Sequence, residues 1–136
     1  VKYGSGKPPV AASLASRTLI VSGMIVFIFI LFHLAHFTIG LVDARFLEFR
    51  DPEQRHDVYK MMIEGFSQPL VSIFYIFALG LLCLHLSHGV SSMFQSLGLK
   101  NKAWDKAIDR FAKIATAILF IGNCAIVIAV WAGFVR

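Results

Sequence analysis

Two histidine pairs, each spaced three residues apart, lie in or beside apolar stretches. The first is in Phe32-His33-Leu34-Ala35-His36-Phe37 and the second in Cys83-Leu84-His85-Leu86-Ser87-His88-Gly89. An ionisable side chain inside hydrocarbon is unfavourable unless a partner or a function holds it there. Imidazole nitrogen is an axial ligand of haem iron, and ligation by two histidines leaves no open iron position, which suits electron transfer better than oxygen chemistry. Residues at i and i+3 share about one helix face. One member of each pair can therefore bind iron while the other meets a haem propionate or a quinone. Interhelical hydrogen bonds, interfacial placement and a histidine proton relay are alternative uses of the same residues.

The elements that must position these histidines are membrane helices. Hydrophobic residues make up 57% of the chain and charged residues 15%, far from an ordinary soluble domain. The runs 19–34, 70–99 and 114–135 contain no Asp, Glu, Lys or Arg. Each can supply much or all of the roughly 20 residues that cross about 30 Å of hydrocarbon. The expected fold is an all-α transmembrane helical bundle with spans at 17–40, 70–93 and 111–134. Pro69 suits the first turn of the second span. The lead-in 1–16 is polar and contains Gly and Pro; it reads as an inter-helix loop of a longer membrane subunit.

Loop charges set the expected orientation. Lys2, Lys7 and Arg17 precede the first span, and Lys100, Lys102, Lys106, Arg110 and Lys113 precede the third. Counting basic residues places the amino terminus and the 94–110 loop in the cytoplasm, and the acidic 41–69 loop outside. Within that outer loop, Phe46, Phe49, Val58, Met61, Met62 and Phe66 are expected to form a short amphipathic segment on the membrane surface.

Depth then separates the pairs. At 1.5 Å per residue, His33 lies roughly 24 Å from the cytoplasmic entry and His85 roughly 10–13 Å from the same side. A difference of about 10 Å is too large for one iron and fits two haems stacked across the bilayer. Glycines at 65, 80, 89 and 98 leave room for a flat macrocycle. Cys83 and Cys124 lie in different spans without a C-x-x-C or C-x-x-C-H pattern, against structural zinc or covalently attached haem. The charge of +5 flanks the spans and forms no continuous patch for nucleic acid. No nucleophile–base set, phosphate loop or dinucleotide fingerprint is present. Ser22, Thr38, Ser72, Tyr75, Ser87, Thr116 and Asn123 are too dispersed to line a transport path.

Ser13-Leu14-Ala15-Ser16-Arg17-Thr18, the two histidine runs and the continuation Val90-Ser91-Ser92-Met93-Phe94-Gln95-Ser96-Leu97-Gly98-Leu99 resemble the cytochrome b membrane anchor of type B succinate dehydrogenase/fumarate reductase, the succinate:quinone oxidoreductases. The similarity spans nearly the whole chain and corresponds to the last three of that family's five helices. It implies a dihaem anchor holding two haem b groups. His33 would ligate the distal haem and His85 the proximal one, with the partner ligands on two preceding helices. His36 and His88 become second contacts or propionate partners, and Ser16 and Arg17 proximal propionate contacts. The resemblance further implies partners on the cytoplasmic face of a bacterial inner membrane: an iron–sulfur subunit and a flavoprotein subunit that alone carries FAD. The basic 100–113 segment would contribute to docking them. Membrane quinone would be the substrate, with no dicarboxylate site in this chain. One position departs from the family: some members carry an acid two residues before the proximal ligand, where this chain has Cys83. Direction of catalysis and a carboxylate proton path therefore do not transfer.

Overall fold

In a computed structural model, the described backbone covers residues 14–99, 101 and 103–135, and side chains are described from Leu19 onward within that range. Helix α1 is Leu14–Phe37, a 3₁₀ turn follows at Ala44–Glu48, then α2 at Val58–Phe66, α3 at Pro69–Ser96 and α4 at Asp105–Trp131. The apolar parts of α1 (Leu19–Phe37), α3 and α4 are each long enough to cross a membrane. The chain is a multi-pass, all-α membrane bundle. The expected lead-in falls largely outside the described residues, as do the side chains of Ser16 and Arg17, whose backbone lies in the first turns of α1.

Each long helix ends where a glycine can take positive φ. Gly40, Gly98 and Gly133 have φ of 70°, 69° and 73°. At the end of α3, Leu99 N–H reaches Phe94 O and Gly98 N–H reaches Gln95 O, both at 3.0 Å. This is the paired stop that satisfies the orphan carbonyls of a last turn. The run Phe94-Gln95-Ser96-Leu97-Gly98-Leu99 is therefore a helix terminator. The same pattern closes α4 through Phe134 N–H to Ala129 O (2.9 Å) and Gly133 N–H to Val130 O (3.0 Å).

α3 is the central helix. It packs antiparallel on α4 over its length and on α1 to a lesser extent, while α2 touches both α3 and α4. The core gathers at one end of the bundle, where Phe66, Tyr75, Val127 and Val130 are buried together and Phe29, Phe32 and Phe37 pack around them. At this end Ser72 Oγ donates to Phe66 O at 2.6 Å and ties α2 to the start of α3. Elsewhere the helices present apolar surface outward, as at Ile20, Met24, Phe27 and Leu31 on α1, which suits a hydrocarbon surround.

The 38–68 segment corrects one expectation. Phe46, Met61 and Phe66 are buried, Phe49 and Met62 are half-buried, and Val58 is exposed. The apolar side of this amphipathic stretch turns into the bundle, against its aromatic side chains, instead of facing outward. Asp57 is the N-cap of α2 and accepts from Lys60 N–H at 2.9 Å.

Candidate functional site

The histidines fall in two places, one at each end of the α1–α3 contact. His85 projects from α3 onto the amino-terminal half of α1. Its Nδ1 lies 2.9 Å from Ser22 Oγ, and Ser22 Oγ also lies 3.0 Å from Leu19 O. A hydroxyl has one proton, and the Leu19 carbonyl can only accept. With Ser22 donating to Leu19 O, its oxygen is placed to accept from His85 in the tautomer protonated at Nδ1. That tautomer leaves the Nε2 lone pair without a hydrogen-bond partner among the described residues. The ring packs beside Gly23 of α1, where a Cβ would sit in ordinary contact, 3.4 Å from His85 Cε1 and 4.0 Å from Nε2. An imidazole anchored through one nitrogen with the other free is how protein holds an axial or metal ligand.

The other site is enclosed by aromatic rings. His36 is 2% exposed and its Nδ1 lies 3.1 Å from Tyr75 Oη; His33 Nδ1 lies 3.4 Å from the same hydroxyl. Phe32 stacks on His36 with ring centroids 5.6 Å apart, and Phe37 and Phe46 close the opposite sides. Gly65 is required here, because a Cβ would come within 2.7 Å of Phe37 Cε1. Tyr75 can donate to one imidazole while accepting from the other, so the three side chains form one short polar chain in an apolar cage. His33 is exposed on its far side and lines a cavity of about 720 Å³ with Phe29, His56, Tyr75, Leu79 and Asn123.

His56 and the two hydroxyls are what sequence reasoning missed. Ser22 and Tyr75 stood among polar residues judged too dispersed, yet each faces a histidine. The signal was depth: antiparallel helices bring Ser22 level with His85, and Tyr75 level with His33 and His36. His56 reaches the cavity because Asp51 folds the 50–56 turn: its Oδ1 accepts from Glu53 N–H and Arg55 N–H, both at 2.9 Å. Gln54 takes positive φ in that turn, and Arg50 and His56 form an isolated antiparallel bridge. The Arg55 amide and guanidinium hold the Asp51 carboxyl below the usual aspartate range, and the Arg45 guanidinium does the same for Asp43.

Ser22 and His33 are eleven residues apart on α1, so the two sites are separated by about 16 Å along the helix, wider than the expected 10 Å. His88 is exposed on α3. Cys83 lines a groove between α3 and α4, apart from the α1 side where His85 packs.

Among the described residues, no group of three or more His, Cys, Asp or Glu could hold a metal ion. A haem supplies its own macrocycle nitrogens and takes only axial ligands from protein, so this bears on caged metals rather than on axial histidines. Comparisons with protein-family models, curated proteins and solved structures return no match. The described residues form a transmembrane module with three membrane-length helices and one histidine site toward each end of the α1–α3 contact.

Proposed function

We propose that this chain is the haem-holding part of a membrane anchor for succinate dehydrogenase/fumarate reductase, linking an iron–sulfur subunit to membrane quinone. The observation that carries this reading is the Ser22–His85 pair, in which Ser22 Oγ lies 2.9 Å from the imidazole Nδ1 while Nε2 has no hydrogen-bond partner among the described residues. The cavity beside His33 supports a second group: its 720 Å³ lies within the roughly 300–1,000 Å³ of cofactor sites, and its walls are mostly apolar. His85 and His33 would each hold one haem b, and partner ligands would come from outside these helices. Bound haem supplies a one-electron ferric/ferrous couple.

The chain's own residues do the rest. Ser22 and Tyr75 orient the imidazoles, and the phenylalanine cage keeps water from His36 and from one side of His33. The end carrying His85 would face the cytoplasm, where the iron–sulfur and flavoprotein subunits would dock. Pyridine haemochrome analysis of the purified complex should return two b haems per anchor. One haem would remove the dihaem assignment, and none would remove the cytochrome reading.

A second reading rests on a different observation. His36, Tyr75 and His33 form a continuous hydrogen-bonded chain from a buried core position to an open cavity, which is the wiring of a haem-free proton relay. It predicts a purified protein without a Soret band, whose reconstituted vesicles pass protons and lose that conductance in Tyr75→Phe.

A further inference from the structure

On the side of α3 away from His85, a groove of about 380 Å³ runs between α3 and α4. Its floor is small and apolar: Gly80 and Leu84 from α3, Ala117 and Phe120 from α4. One polar wall is Lys113, the last charged side chain before the uncharged run 114–135 begins. Lys106, Arg110, Lys113, Ala117 and Phe120 follow one another at helical spacing, so a stripe of three cations leads directly into the apolar groove. All three cations are exposed, and none has an acidic partner among the described residues.

The acids of the same turns are placed differently. Asp109 faces α3, where its Oδ1 accepts from Ser91 Oγ at 2.5 Å, and Asp105 has one carboxylate oxygen buried. The groove hydroxyls are also committed. Ser87 Oγ donates to Leu84 O and Thr116 Oγ1 to Ala112 O, so neither has a proton left for a ligand. A guest is therefore met by cations above and hydrocarbon below, at the depth where the charged and uncharged parts of α4 meet.

We propose that this groove is a binding site for an anionic phospholipid, with its phosphate on Lys106, Arg110 and Lys113 and an acyl chain over Gly80, Ala117 and Phe120. The chemistry selects an anionic amphiphile: a soluble anion would leave the apolar floor uncovered, and a zwitterionic lipid would leave the stripe unneutralised.

The test is lipid retention by the full-length protein in its purified complex, measured by native mass spectrometry after exchange from nanodiscs of phosphatidylglycerol or of phosphatidylcholine. The wild type should keep phosphatidylglycerol and shed phosphatidylcholine; equal retention of both would overturn the site. Each of Lys106→Gln, Arg110→Gln and Lys113→Gln should weaken phosphatidylglycerol retention about fivefold, with Lys113→Arg restoring it. Ala117→Phe, which changes no charge, should displace the acyl chain and lower retention as well. If the triple Gln variant keeps its lipid but loses another subunit on a native gel, the stripe is a protein dock and the proposal fails.

Discussion

The two histidine sites solve the same problem with opposite architecture. His85 is held by one hydroxyl: Ser22 Oγ hydrogen-bonds its Nδ1, and the ring packs beside Gly23 of α1. His33 sits in a wall of rings, with Tyr75 shared between it and the buried His36. The first arrangement fixes one imidazole and adds little to stability. The second is part of the bundle's core, so function and folding are entangled there. A fault at the His85 end should show in what the protein binds, and a fault at the His33 end should also show in whether the bundle holds.

On the proposed cytochrome reading, the largest effect expected is on haem content. His85→Ala and His33→Ala should each lower b haem in the purified complex by about half, and redox titration should show a different component lost in each. If both variants lose the same component, the two sites are not independent. Ser22→Ala should weaken retention of the His85 haem about 10- to 100-fold while changing stability by only about 0.6 kcal/mol, read from haem loss and thermal unfolding in parallel. Tyr75→Phe should do the reverse in emphasis. It leaves the buried His36 Nδ1 unpaired and should destabilise the bundle by about 1–3 kcal/mol; an unchanged unfolding midpoint would break the contrast. Gly65→Ala, which forces Phe37 aside, should lower stability by about 1 kcal/mol and leave the His85 component untouched.

The smallest effect concerns the turn that presents His56. Asp51 and Asp43 have depressed pKa values from their Arg55 and Arg45 hydrogen bonds. Their contribution is fully present above the ordinary aspartate range and is lost as pH falls through the lower folded values. Both pairs are solvent-exposed, so the loss should be local. Hydrogen-exchange protection of residues 43–56, taken relative to the intrinsic rate at each pH, should fall in acid while the spans stay protected.

Much of this fold was legible because hydrophobic runs without charge have one common use. The three long helices and Pro69 at the start of α3 followed from runs and punctuation. The inward turn of Phe46, Met61 and Phe66 did not, because amphipathicity says that one face is apolar and not whether lipid or protein covers it. At the sites, the histidine types and their antiparallel order could be read from spacing. Their hydroxyl partners could not, since Ser22 lies 63 residues from His85 and Tyr75 lies 39 from His36. Contacts across such separations depend on helix register, which composition does not encode. The spacing of about 16 Å differs from the expected 10 Å for the same reason: the register of α3 against α1 sets it.

The central place of α3 also orders events in time. When α1 emerges from the ribosome, the helix that carries Tyr75 and His85 has not been made. From Phe37 to Ser96, synthesis at about 5–20 residues per second takes roughly 3–12 seconds. During that delay His33 and His36 are in the bilayer without Tyr75, and Ser22 without His85. Insertion of α1 therefore proceeds without α3, and the histidines acquire their α3 partners only as the second hairpin arm arrives.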